Sequence, residues 1–96
     1  MIVSFDDDAT SGLYHGRNTH HYRKFPPTII RQALRKLDML NAADRVNDLR
    51  EPPGNRLESL KGDLTDFHSI RVNDQWRIVF RWENNNAHEV SLTDYH

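Results

Sequence analysis

The last three residues, Asp94, Tyr95 and His96, set a carboxylate, a phenol and an imidazole side by side. All three can move protons. An unperturbed imidazole titrates at about 6.5, and the terminal carboxylate beside it favours the imidazolium, so His96 suits a general acid at neutral pH. The competing reading is a Tyr-His end that frays, since termini are usually mobile. Arg56, Lys61 and Arg77 fall around the same expected sheet. Fixed cations beside a proton donor are what cleavage of a phosphodiester by its own 2′-hydroxyl requires without a metal. A base takes the 2′-proton, cations hold the phosphorane charge, and an acid protonates the leaving 5′-oxygen. Arg71 and Arg81 share the polar side of these strands, either as phosphate contacts or as a solvated face. Tyr95 can position a phosphate or stack on a base.

No metal or cofactor site is expected. His15, His20 and His21 are the histidines with a ligand look, but adjacent histidines point apart and their loop holds no Asp or Glu. They suit a surface or a nucleic-acid contact better. Trp76 and Trp82 follow the same alternation as Ile78 and Phe80, which favours core packing over base stacking.

The elements that must carry these residues are legible in the pattern. Met1 to Phe5 reads as a strand, and Asp6, Asp7 and Asp8 offer capping acceptors for a helix from 8 to 15. Residues 16–25 have no clean period and read as a basic, aromatic-bearing loop. Pro26 and Pro27 open the main helix, expected over 27–41, on which Ile29, Ile30, Ala33, Leu34, Leu37 and Leu40 recur at helical spacing. Asn41 is expected to cap a shorter turn carrying Val46 and Leu49, and Glu51-Pro-Pro-Gly-Asn55 stops any helix. Four strands are then expected: 56–61, 67–72, 76–82 and 87–95. Their short connections predict an antiparallel meander with one apolar and one basic face. The fold class is therefore α+β, a small antiparallel β-sheet with N-terminal helices packed on its apolar face.

Ninety-six residues suit a single domain spanning 1–96 with an open groove rather than an enclosed cofactor cavity. With no cysteine, disulfides, thiolate zinc and cysteine nucleophiles are excluded, which fits a reducing cytoplasm. Apolar runs of four residues or fewer and an acidic opening argue against a membrane span or a secretory signal. The formal net charge of −1 hides a segregation: residues 17–81 hold all 13 Lys and Arg against eight acids. A basic middle between acidic ends suits a phosphate-bearing partner.

Several tracts together resemble a known family. Pro52-Pro-Gly-Asn-Arg-Leu-Glu-Ser-Leu-Lys-Gly-Asp63, His68-Ser-Ile-Arg-Val-Asn-Asp-Gln-Trp-Arg-Ile78 and the closing Asp94-Tyr-His96 are similar to the HigB-like toxins of the RelE/ParE superfamily. The likeness is strongest over 48–96. It implies the RelE-like microbial RNase fold and a bacterial, ribosome-dependent, metal-independent endoribonuclease that leaves a 2′,3′-cyclic phosphate. It further implies action on mRNA in the decoding site of the small ribosomal subunit, and neutralisation by a HigA-like helix-turn-helix antitoxin. The toxin–antitoxin complex would then bind operator DNA. Carried over residue by residue, Lys61 and Arg77 match the phosphate-facing cations of the family, and Asp94, Tyr95 and His96 match its C-terminal catalytic tract.

One departure concerns the base. Some HigB-like enzymes have a histidine before the Leu-Lys-Gly-Asp segment, where this chain has Glu58. Glu58 takes the 2′-proton if burial raises its pKa, or else pairs with Arg56 while His96 or Asp94 serves. His68 is a third candidate whose side of the sheet depends on register. On this substitution a slow enzyme is expected. The alternative function is a non-enzymatic, ParE-like inhibitor of a host target such as DNA gyrase, which would not need the terminal histidine.

Overall fold

The computed structural model describes residues 1–16 and 24–94. Two helices are followed by a four-stranded antiparallel sheet in the order β1-β2-β3-β4, with β1 at Glu58–Ser59, β2 at Phe67–Arg71, β3 at Trp76–Glu83 and β4 at Asn86–Asp94. The loop expected over 16–25 falls mostly outside the described residues.

Helix α1, Asp8–His15, starts where an extended Asp7 accepts from the Thr10 amide at 2.7 Å, and ends where Gly16 turns left-handed at φ 69°. Helix α2, Pro27–Ala42, opens on proline and turns Ile29, Ala33, Leu37 and Leu40 inward. Asn41 lies inside α2 and caps nothing; its side chain instead accepts from the Ile2 amide at 2.9 Å. The tight turn Val46–Arg50 is capped by Asp48, which takes the Asp44 and Arg45 amides.

Register decides which side chains meet the helices. Ile70 pairs with Ile78 and Ile78 with Leu92, so these share one face with Phe80 and pack against Leu13, Leu37 and Leu40. Phe67, Ser69, Arg71, Arg77, Val79, Ser91 and Thr93 belong to the other face. An extra residue in β4 near Glu89, at φ 52°, shifts the pairing between Val79 and Arg81. The expected first strand is a parallel addition to β4, seen as bridges Ile2–Ala87 and Phe5–Val90. The strand expected over 56–61 shortens to two residues, because Arg56 adopts a left-handed conformation at φ 45°. Among the described residues no helix is long and apolar enough to cross a membrane.

Candidate functional site

Arg77 is the best-anchored polar group on the open face. It sits in β3 in register with Arg71 of β2 and Thr93 of β4, and its side chain is only 10% exposed. Its Nε donates to Ser69 Oγ at 2.9 Å, and one Nη donates to the carbonyls of Arg56 at 2.7 Å and Ser69 at 3.3 Å. Ser69 is available because strand alternation sets it on this face, and its small side chain lets the guanidinium lie across β2. The Arg56 carbonyl is available because the turn Pro53–Asn55 delivers Arg56 in its left-handed conformation. A guanidinium so held keeps one orientation, which an aliphatic ammonium in the same place would not.

Glu58 is paired with Ser69 in β1, so it shares this face, and its Oε1 lies 4.0 Å from Arg77 Nη1. The carboxylate is more than half exposed, so burial does not act on it, and its ion pair is with Arg77 rather than Arg56. Lys61 and Arg56 are exposed on the same stretch of chain, with Lys61 just before Gly62, whose φ of 72° makes the turn. The structure therefore brings the Arg77 and Glu58 side chains together with the Arg56 carbonyl and sets Lys61 two residues beyond β1.

The other two arginines are held differently. Arg71 is ion-paired with Asp74, and Arg81 with Glu89 at 2.9 Å and Glu83 at 2.5 Å. Asp94 ends β4 opposite Trp76, where it accepts from Gln75 Nε2 at 3.0 Å, while Thr93 is the residue opposite Arg77. Tyr95 and His96, the proposed terminal acid and its neighbour, lie outside the described residues.

His68 is in register with Phe80 and stacks on it at 5.8 Å, on the helix side of the sheet and so away from Arg77. Burial lowers its pKa, with Asp66 opposing, and its Nδ1 lies 3.3 Å from Ser59 Oγ. The tryptophans pack as the alternation predicts, Trp76 edge-on to Phe25 and Trp82 edge-on to Phe80. His15 Nδ1 lies 2.8 Å from the Ser11 carbonyl, and His20 and His21 lie outside the described residues. Among the described residues, no three His, Cys, Asp or Glu converge as metal ligands. Sequence reasoning missed Ser69 and the Arg56 carbonyl. The alternation of Ser69 with Arg71 was the signal for the first; a backbone oxygen leaves none.

A model of the RelE-like HigB toxins of type II toxin–antitoxin systems matches residues 3–96, and the chain belongs to this HigB-like family. Toxin HigB-1 of Vibrio cholerae is 43% identical over 82 residues, covering 85% of this chain and 84% of its own length. Endoribonuclease HigB of Proteus vulgaris is 36% identical over 61 residues, covering 62% and 66%. The YoeB–YefM complex from Staphylococcus aureus shares the fold at a TM-score of 0.62 and 19% identity, covering 100% of this chain and 98% of the matched one.

Proposed function

We propose that this toxin is a ribosome-dependent, metal-independent endoribonuclease that cuts mRNA in the decoding site. The observation that carries this reading is Arg77, oriented by hydrogen bonds to Ser69 and the Arg56 carbonyl beside the Glu58 carboxylate, on the sheet face away from the helices. Glu58, the carboxylate beside Arg77, takes the 2′-proton as an exposed base without the burial that the sequence reading required, the 2′-oxygen attacks phosphorus, and the P–O5′ bond breaks. Arg77, Lys61 and Arg56 face the phosphorane charge, with Arg71 and Arg81 as outlying contacts to the RNA. His96 protonates the leaving 5′-oxygen, so the products are a 2′,3′-cyclic phosphate and a 5′-hydroxyl. Asp94 orients that imidazole and Tyr95 steadies the phosphate or a base. The endoribonuclease named in Proteus vulgaris supports the activity.

An open face orients a flexible strand poorly, so the ribosome supplies the substrate geometry. In the same reading the toxin works in the bacterial cytoplasm and a HigA-like helix-turn-helix antitoxin neutralises it, the complex binding operator DNA. The YoeB–YefM complex on this fold is consistent with such a partner. The test is primer extension on mRNA translated in a purified bacterial system, with wild type, His96→Gln and a ribosome-free control. Cleavage should require ribosomes and fall at least about tenfold in the variant. Growth arrest without cleavage would overturn the nuclease in favour of a non-enzymatic inhibitor of a target such as DNA gyrase.

A further inference from the structure

Helix α2 carries one charged residue on its inner side. Lys36 is only 9% exposed, and its ammonium donates to the Asn55 side-chain oxygen. No carboxylate among the described residues forms an ion pair with it. Burial lowers its pKa, and the charges of Arg35 and Arg71 lower it further. A methionine would fill similar volume without the desolvation penalty, so the ammonium is best explained by what it holds.

What it holds is a fully buried asparagine. Asn55 Nδ2 donates to the carbonyls of Leu49 at 3.2 Å and Glu51 at 3.3 Å, which gathers the turns Val46–Arg50 and Pro53–Asn55 around one amide. With its oxygen taken by Lys36, the asparagine's position is fixed from two sides. The next residue is Arg56, left-handed at φ 45°, whose carbonyl lies 2.7 Å from Arg77 Nη2. A left-handed non-glycine residue persists only where its surroundings over-determine it. Lys36 and Asn55 supply that constraint.

We propose that Lys36 is a positioning residue for Arg77: through Asn55 it holds the 49–56 loop so that the Arg56 carbonyl meets the guanidinium. The proposal rests on Arg77 facing the scissile phosphate, as in the nuclease reading, yet its first measurement does not depend on catalysis. In the full-length toxin with ¹⁵N-labelled arginine, the Arg77 Nε–H resonance should exchange slowly with solvent. Lys36→Met, which keeps the apolar stem, should leave the fold intact by circular dichroism but move that resonance and speed its exchange. Ribosome-dependent cleavage should fall about 10²-fold, the effect expected of a reacting group displaced by about 1 Å. The same substitution in an Arg77→Ala background should cost almost nothing more, because both act through one group.

An unchanged Arg77 signal in folded Lys36→Met would overturn the proposal, and so would additive losses in the double variant. Should the methionine variant fail to fold, Lys36→Leu removes the donor to Asn55 with a smaller apolar side chain. A shifted Arg77 signal there supports the clamp and an unshifted one refutes it. If wild type cleaves no RNA at all, the nuclease reading fails while the Arg77 resonance still reports on the clamp.

Discussion

Arg77 and Arg81 stand four residues apart on one strand and on the same side of the sheet, yet the protein treats them in opposite ways. Arg81 is 30% exposed and gripped by two carboxylates, Glu83 and Glu89, from its own and the neighbouring strand. Arg77 is 10% exposed, and its hydrogen bonds to described residues end on a hydroxyl and two carbonyls, with Glu58 at 4.0 Å. The first arrangement matches charge with charge at the surface, where ion pairs contribute little to stability. The second spends neutral acceptors on fixing a direction. Residue type and face alone do not separate the two; their partners do.

The sharpest way to break this contrast is Arg77→Lys. It keeps the charge but loses the planar fork, so ribosome-dependent cleavage should drop about 10²- to 10³-fold with the protein still folded. Retained activity would mean that charge alone suffices there. Ser69→Ala removes the acceptor of Nε inside the sheet. We expect a loss of about 1–3 kcal/mol in urea unfolding, with a smaller fall in cleavage than for Arg77→Lys. Arg81→Ala should be the mildest, with cleavage within about twofold of wild type and an unchanged unfolding midpoint. A large loss there would erase the distinction between the two arginines.

The helices and the meander were readable because each is specified locally. Asp7 and Gly16 delimit α1, Pro27 opens α2, and alternation from Ile70 to Phe80 sorts the sheet faces. Arg56, Lys61 and Arg77 could likewise be placed around one sheet from sequence, and Glu58 only through the family resemblance. What escaped depended on contacts distant in the chain. Asn41 reads as a cap but meets the amide of Ile2, 39 residues away. His68 could not be assigned a side until its pairing with Phe80 fixed the register. The anchoring of Arg77 needed a backbone carbonyl 21 residues earlier, which no side-chain pattern announces.

The parallel pairing of residues 2–5 with β4 gives the molecule a mechanical character. Four backbone hydrogen bonds join the two segments: Val3 to Ala87, Ala87 to Met1, Val90 to Ser4 and Asp6 to Val90. Because the segments run in the same direction, tension between residue 1 and residue 94 pulls them past one another along their length. The four bonds then bear the load in shear, together, whereas an antiparallel pair pulled in this way would peel open one bond at a time.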